Sequence, residues 1–322
     1  MSERRRGSNL NQVKRLQVAV DIGGSKIAIL AREVGSERDV YSDKLKTPAG
    51  DGVEAILRLL DAQIDNLPGG RSSMSGLGVA VPGYVTDEGH VLRAGNLKGW
   101  VDVPLRSMLE DRYGVPIFVE RDANCGAIGE KWRGAARKMS DFVFLALGTG
   151  VGAGLFLDGH IYRGAHFAAG EAGDISFDHD SGPTVSDVVG KRAIRSKVKR
   201  ATGQKMSAAE ALARAKRKPR LARATEDAVE YLGTLAVTMV ALLDPEAILF
   251  GGGTSNAGEA LLERVRRRVA ARLELRARLM PAGLGSDSQL FGALWGVENM
   301  TDRPKSRRSA ETRLTNRPDR RA

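Results

Sequence analysis

The amino-acid sequence predicts an α/β fold of two similar domains that face each other across a cleft. Two apolar strands, at about 17–22 and 142–147, each run into a glycine-rich turn and then into a second strand. Helical and buried-strand segments follow each hairpin, so the second half of the chain repeats the theme of the first. The length of 322 residues exceeds the usual size of a single core, which agrees with two domains.

Each element is predicted from its apolar pattern. Strands are segments in which apolar residues alternate or run continuously, and helices are segments in which they recur every three or four residues. The predicted strands lie at about 17–22, 27–33, 38–46, 77–81, 116–119, 142–147, 152–157 and 247–250. The predicted helices lie at about 52–66, 103–113, 123–136, 184–200, 207–217, 222–243, 256–277 and 288–299.

Three of the apolar strands end in glycine-rich turns, where missing Cβ atoms let backbone N–H groups approach an anion closely. One such turn alone is usually just a tight turn, but three in one chain favour a nucleotide site. None is a Walker loop or a dinucleotide fingerprint. Asp21, at the first turn, suits a hydrated Mg²⁺ ion. The predicted nucleotide-binding residues are Asp21, Gly23, Gly24, Ser25, Lys26, Gly148, Thr149, Gly150, Gly152, Gly251, Gly252 and Gly253.

A lone carboxylate, Asp122, stands where a strand meets a helix. An aspartate in that position often caps the helix, which stabilises it by about 1 kcal/mol. Phosphoryl transfer also needs a group that accepts the hydroxyl proton of the attacking substrate. In a chain that also carries the three glycine turns, we predict that Asp122 is a catalytic base.

The order of these motifs resembles the ROK family (repressor, open reading frame, kinase), over about 16–300. Members of that family are sugar kinases and sugar-responsive repressors with an actin-like, ribonuclease-H-like fold of two domains around a cleft. The resemblance rests on the segments Asp21–Lys26, Val81–Gly83, Gly95–Trp100, Asp122–Asn124, Gly148–Gly152, Ala169–Gly173 and Leu243–Pro245.

The resemblance implies an activity and a set of roles. It implies phosphorylation of a primary hydroxyl, the 6-OH, of a hexose or amino-hexose, with ATP and Mg²⁺ as cofactors. It also implies that the turn at 251–253 receives adenosine and that Asn96 binds sugar hydroxyls. The predicted substrate-binding residues are Pro82, Gly83, Asn96, Arg121, Asp122, Glu171 and Asp174.

The chain departs from the pattern of the family's sugar kinases near the sugar. Arg121 replaces an asparagine before the base, Asp174 replaces a histidine, and Ser186 aligns roughly with a glutamate. The resemblance places these positions at the anomeric end of the sugar, opposite the phosphorylated hydroxyl. These departures leave the choice between glucose and another hexose as the substrate open. An amino sugar of the kanosamine type, bound by Asp174, is one alternative, and an Asp174–Arg121 ion pair is the other.

The family's cysteine-rich zinc segment is replaced by 177–186. Because Cys125 is the only cysteine, we expect no structural zinc and no intramolecular disulfide. His179 stands between two aspartates, and we interpret this segment as a loop rather than a metal site.

In the family the final helix returns to the first domain. We therefore predict a first domain at 16–130 plus 288–300 and a second at 131–287. Basic, proline-containing tails at 1–15 and 301–322 are predicted to be disordered.

The net charge of +11 arises mainly from the tails and from 190–223, which is predicted to form exposed helix faces. The alternative is that 190–223 forms a track for a polyanionic phosphoryl donor. We expect a small-molecule sugar partner, a homodimer and no specific nucleic-acid partner.

Neither a long apolar run nor an apolar core behind the basic N-terminus is present, so we expect a cytoplasmic protein without a membrane partner. A repressor would need a helix-turn-helix domain of about 60 residues, whereas 20 residues precede Asp21. A non-catalytic sugar-binding protein remains as a further alternative, against which Asp122 and the three turns argue.

Overall fold

The structure is a computed structural model that describes residues 14–178, 182–273 and 277–301. Nearly all of the predicted tails, together with His179 and Asp180, lie outside the described residues. The strands are β1 (Leu16–Ile22), β2 (Lys26–Glu33), β3 (Asp39–Lys46), β4 (Met74–Val81), β5 (Tyr84–Val85), β6 (Val91–Arg93), β7 (Val101–Val103), β8 (Ile117–Arg121), β9 (Phe142–Leu147), β10 (Val151–Leu157), β11 (His160–Ile161), β12 (Ala247–Gly251) and β13 (Arg278–Pro281). The helices are α1 (Val53–Asp65), α2 (Leu105–Tyr113), α3 (Asp122–Trp132), α4 (Val185–Val189), α5 (Lys191–Thr202), α6 (Ala208–Arg214), α7 (Pro219–Ala224), α8 (Glu226–Leu243), α9 (Glu259–Ala270) and α10 (Ser288–Thr301).

Two five-stranded sheets share one topology. The first has the order β3-β2-β1-β4-β8 and the second β11-β10-β9-β12-β13. In each, the first strand of the hairpin pairs antiparallel with the second and parallel with a later strand. A small antiparallel sheet, β5-β6-β7, lies beside the first. The two-domain α/β fold predicted from the repeated hairpins is confirmed by this duplication.

Each sheet is covered by helices with an apolar face. In α1, buried side chains recur at helical spacing, at Ile56, Leu57, Leu60 and Ile64, and they pack on the first sheet. The second sheet packs against α8 and α9 in a separate core. The boundaries at 130 and 288 stay a prediction, although α10 does pack against β1 and β4 of the first sheet.

Helices α3 and α10 cross with their backbones in contact. A Cβ atom on Gly292 would lie 1.8 Å from the carbonyl oxygen of Cys125, and one on Gly129 would lie 2.2 Å from that of Ser288. The buried carboxylate of Glu130 accepts hydrogen bonds from the Ser288 hydroxyl and from the backbone N–H of Gly283. Since α3 begins with Asp122, this crossing holds the predicted base in place.

We expect Gly292→Ala to destabilise the fold by about 1–3 kcal/mol, because the added methyl group meets backbone that must shift. Chemical denaturation measures the free energy of unfolding. The matched control is Gly50→Ala, since no atom lies within 4 Å of the position of its Cβ. Equal stability of the two variants would show that the helices separate easily.

A polar cluster joins α1 to α2. The Asp61 carboxylate accepts hydrogen bonds from the Arg112 guanidinium at 2.6 Å and from the Tyr113 hydroxyl at 3.0 Å. The bond from Arg112 is the main reason that the pKa of Asp61 lies below its ordinary value, and Tyr113 adds to it, while burial opposes both.

This cluster predicts a pH-dependent contribution to stability. A depressed pKa in the folded state stabilises the protein above the unfolded-state value of 3.8, and this stabilisation disappears as the pH falls through the folded-state value. Asp61→Asn should therefore be less stable than the wild type at pH 7, and the difference should shrink at acidic pH. Urea midpoints at several pH values measure this, with the exposed Asp111→Asn as control. A difference independent of pH would contradict the assignment.

Some predicted helices are divided or shorter in the structure. The helix predicted at 184–200 is two helices, α4 and α5, divided at Gly190, whose backbone is not helical, with a ψ of 142°. The helix predicted at 256–277 ends at Ala270, and the unpredicted strand β13 follows. Arg-Leu-Met-Pro is too short and mixed for a strand pattern, and pairing with β12 decides its structure.

Within the described residues, no helix has the length and apolar character needed to cross a bilayer.

Candidate active site

A cleft of about 800 Å³ opens between the two sheets, and both halves of the chain line it. That volume is in the range of small-molecule sites. Of the predicted site residues, the cleft is lined by Asp21, Gly23, Gly24, Ser25, Lys26, Pro82, Gly83, Asn96, Arg121, Asp122, Gly148, Thr149, Gly150, Gly152, Glu171, Asp174, Gly252 and Gly253. Gly251 does not line it, because it is the buried last residue of β12 and packs against Phe144.

The first glycine turn joins β1 to β2. The Gly23 N–H donates to the Lys26 carbonyl at 3.0 Å, and the Thr47 hydroxyl donates to the Gly23 carbonyl at 2.6 Å. A Cβ on Gly24 would lie 2.9 Å from the Cβ of Asn96. The absence of a side chain at Gly24 thus lets Asn96 lie directly against the turn.

The second turn, between β9 and β10, meets the first across the cleft. The hydroxyl oxygens of Ser25 and Thr149 are 3.1 Å apart, which is hydrogen-bond distance. Within the second turn, the Gly148 N–H donates to the Gly150 carbonyl at 2.9 Å. The two turns, which the sequence separates by more than 120 residues, therefore contact each other directly.

The third turn follows β12 and lies against the end of β9. Gly252 has a φ of +79°, and a Cβ there would lie within 3.0 Å of the Leu147 backbone. The Thr254 N–H donates to the Leu147 carbonyl at 3.0 Å. Glycine is required at 252 both for its left-handed backbone and for this close approach.

Asp122 is the first residue of α3 rather than its cap. Its carboxylate accepts a hydrogen bond from the Ala123 N–H at 2.7 Å. Burial raises the pKa of Asp122 above its ordinary value, and Arg121 and the Ala123 N–H oppose that rise. Burial thus makes this carboxylate more basic than an ordinary aspartate.

Asp21 lies close enough to Asp122 for the two carboxylates to repel. Burial and the charge of Asp122 raise the pKa of Asp21 to about 7, with Lys26 opposing and Asp287 adding to the rise. A divalent cation relieves such repulsion, and Mg²⁺ is usually held by one or two carboxylates together with substrate phosphates. In the described part of the chain, no three His, Cys, Asp or Glu side chains gather into a metal cluster. Asp21 therefore fits a Mg²⁺ ion that is bound with phosphates.

Arg121 is committed to the protein itself. Its guanidinium donates to the carbonyl oxygens of Ala169 at 2.5 Å, Gly170 at 2.6 Å and Ala153 at 3.2 Å. It also lies 3.4 Å from the Glu171 carboxylate, and only 3% of its side chain is exposed. The sequence left open an ion pair between Arg121 and Asp174, and the structure pairs Arg121 with Glu171 instead.

Glu171 and Asp174 both face the cleft, but they differ in their surroundings. Burial raises the pKa of Glu171, Arg121 lowers it, and Asp174 and Asp122 raise it further. Asp174 is exposed, and the ion pairs in the described residues do not include it. Burial is the main reason that the pKa of Tyr84 is raised, and the charges of Glu171 and Asp174 add to it. The Tyr84 hydroxyl therefore lies near both carboxylates. Asp174 is thus a free carboxylate on the wall of the cleft.

Several lining residues were missed as site residues by the sequence analysis. Lys191 was predicted to lie on an exposed basic helix face, with a track for a polyanionic phosphoryl donor as the alternative. In the structure the N–H of Lys191 donates to the Gly148 carbonyl at 3.0 Å. Gln289 is 8% exposed, and its side-chain oxygen has no hydrogen-bond partner among the described residues. No motif marks these residues, so only their place in the fold identifies them. The main missed residues are Tyr84, Arg93, Lys191, Arg192, Ser286 and Gln289.

The chain is similar in sequence to known proteins of two kinds. It is 30% identical over 320 residues to a glucokinase of Halalkalibacterium halodurans, covering 88% of this chain and 95% of that protein. It is also 30% identical over 281 residues to a xylose repressor of Caldicellulosiruptor bescii, covering 79% of this chain and 70% of the repressor.

The comparison with solved structures also finds a glucokinase. A ROK family glucokinase from Streptomyces griseus, solved with glucose and AMPPNP, superposes with a TM-score of 0.76 at 29% identity, covering 88% of this chain and 99% of that one. The duplicated sheets therefore form the actin-like fold. The sequence profile of the ROK family matches residues 17–299, and the chain belongs to the ROK family.

Proposed function

We propose that the chain transfers the terminal phosphoryl group of ATP to the primary 6-hydroxyl of a hexose or amino-hexose. One observation carries the proposal. The Asp122 carboxylate faces a cleft whose two phosphate turns, one from each sheet, meet through the Ser25 and Thr149 hydroxyls. Phosphoryl transfer needs a base and groups that donate hydrogen bonds to the phosphate oxygens, and this cleft has both.

Asp122 accepts the proton of the attacking hydroxyl. Its hydrogen bond from the Ala123 N–H fixes the carboxylate, and burial strengthens it as a base. The turns at 23–26 and 148–150 bind phosphate oxygens through backbone N–H groups and hydroxyls. Closure of the turns excludes water, which would otherwise compete with the sugar hydroxyl for the phosphoryl group.

Mg²⁺ fits beside Asp21 and, when bound, neutralises charge on the phosphate oxygens during transfer. Asp21 would hold it from the protein side, because it is the cleft carboxylate next to the first phosphate turn. The third turn, at 252–253, receives the adenosine side of the donor.

The acceptor end of the cleft favours a cationic sugar. Arg121 uses its guanidinium on carbonyl groups and Glu171, so it does not neutralise Asp174. Glu171 already has the Arg121 guanidinium beside it, so Asp174 is the carboxylate at this edge that is left for a cation of the substrate. An amino-hexose ammonium supplies that cation, which supports a kanosamine-type 6-kinase rather than a glucokinase as the finer assignment.

A non-catalytic sugar-binding protein is the competing assignment, and the similarity to a xylose repressor supports it. The two differ in one measurement. A kinase releases ADP from ATP in a sugar-dependent way, whereas a binding protein changes only its sugar occupancy. Asp122 and the joined phosphate turns favour the kinase.

The deciding experiment is an assay of ADP release with Mg²⁺ in excess across glucose, other hexoses and 2- and 3-amino-hexoses. Mass spectrometry of the product identifies a phosphate on the primary hydroxyl. We expect turnover with at least one of these sugars and none with its 6-deoxy analogue. Sugar binding without turnover in the whole panel would establish the non-catalytic assignment.

The same assay tests the donor. Because Gly252 and Gly253 line the adenosine side of the cleft, we expect ATP to be used with higher kcat/KM than inorganic polyphosphate. The competing expectation comes from the basic stretch 190–223, which suits a polyanion. Equal or better efficiency with polyphosphate would reverse the ranking.

A further inference from the structure

Two lysines from different halves of the chain line the cleft. Lys26 begins β2 at the first turn, and Lys191 begins α5 in the other half of the chain. Both line the cleft. The Lys191 N–H donates to the carbonyl of Gly148, which belongs to the second turn. Lys26 follows Ser25 in the chain, and Lys191 is bonded to the residue before Thr149, so both backbones lie next to the contact between the Ser25 and Thr149 hydroxyls.

Among the residues that the structure describes, no carboxylate lies at ion-pair distance from either lysine. The charge of Lys26 acts on Asp21, whose pKa it lowers, while Lys191 lies near the positive charges of Lys26 and Arg195. These charges, after burial, lower the pKa of Lys191. In the described part of the chain, lysine ion pairs are formed by Lys14, Lys44, Lys197 and Lys216.

Cations that face each other in a partly enclosed cleft repel, and an anion between them turns the repulsion into attraction. Hydrogen bonds from an ammonium group to an anionic oxygen are also stronger than neutral ones. A linear phosphate chain presents charged oxygens along its length, so one ligand can contact both turns. A nucleoside triphosphate and inorganic tripolyphosphate share this chemistry.

We propose that Lys26 and Lys191 form a two-sided clamp on the phosphate chain of the donor, so that donor binding holds the two halves of the cleft together. The clamp rests on the proposed function for the identity of the donor. It adds to that function a binding residue, Lys191, from the second half of the chain. It also means that affinity for the donor depends on the number of its phosphates.

The test is calorimetric titration of the full chain with ATP, AMP and tripolyphosphate, with Mg²⁺ in excess and no sugar. Lys191→Met is compared with Lys199→Met, which removes the same charge from an exposed position of the same helix. We expect Lys191→Met to weaken ATP and tripolyphosphate binding by about tenfold or more and AMP binding by less than about twofold. Lys199→Met should bind all three ligands as the wild type does.

Unchanged affinity of Lys191→Met for ATP and tripolyphosphate would overturn the clamp, as would an equal loss for AMP. Lys191→Arg, which keeps the charge, should retain most of the affinity, and thermal midpoints should be equal among the variants. If the wild type binds ATP in this Lys191-dependent way but phosphorylates no sugar, the clamp stands and the proposed function fails. If the wild type phosphorylates a sugar and Lys191→Met keeps the wild-type affinity for ATP, the proposed function stands and the clamp fails.

Discussion

Asp122→Asn is expected to lower turnover by at least about 10² while the affinity for the sugar changes little. The amide keeps the shape of the carboxylate and can still accept the hydrogen bond from the Ala123 N–H, but it cannot take the hydroxyl proton. An interaction needed only in the transition state affects kcat rather than ground-state binding. Steady-state kinetics give kcat, and calorimetry gives the dissociation constant of the sugar.

The control is Asp51→Asn, because Asp51 is an exposed carboxylate that does not line the cleft. It should keep wild-type kcat. Near-normal turnover of Asp122→Asn would remove Asp122 from the catalytic role and leave it as a structural residue of the first turn of α3. A thermal midpoint close to that of the wild type confirms that the variant is folded.

The second large effect concerns the acceptor. We expect an amino-hexose to exceed glucose in kcat/KM by about tenfold or more, which corresponds to about 1.4 kcal/mol. The reason is the free carboxylate of Asp174 on the cleft wall, since Arg121 is already paired with Glu171. Asp174→His should narrow the ratio, because it removes the negative charge that faces the substrate ammonium.

Asp174→Asn separates charge from shape, since it removes the charge but keeps the side-chain length. It should narrow the ratio as Asp174→His does, whereas Glu88→Gln, an exposed change outside the cleft, should not. If glucose is preferred and Asp174→His leaves the ratio unchanged, the amino-sugar assignment is wrong. Glucose would then be recognised without help from Asp174.

Much of the site was predictable because its signals are local. A strand that runs into Gly23 and Gly24, or into Gly148 and Gly150, is visible in the sequence itself. At Gly24 the structure shows why a side chain is missing, since a Cβ there would lie 2.9 Å from the Cβ of Asn96. The repeated hairpin then predicted two sheets facing a cleft, and the two sheets do share one strand order. The family followed from the order of these motifs and is confirmed by the match over residues 17–299.

The pairing of long charged side chains was not predictable in this way. Arg121 can reach several partners, and only the folded chain brings the carbonyls of Ala169 and Gly170 close enough to take its guanidinium and leave Asp174 free. Sequence separation does not limit such choices, since a flexible side chain selects its partner by distance and burial.

The sequence by itself thus determined the family, the duplicated fold and the turns of the cleft, because glycine positions and apolar periodicity act within a few residues. Only the tertiary structure decided that Lys191 and Gln289 line the cleft and that Gly251 does not. These facts depend on where α5, β12 and α10 pack. Packing is set by close contacts between distant segments, such as that of Gly292 with Cys125.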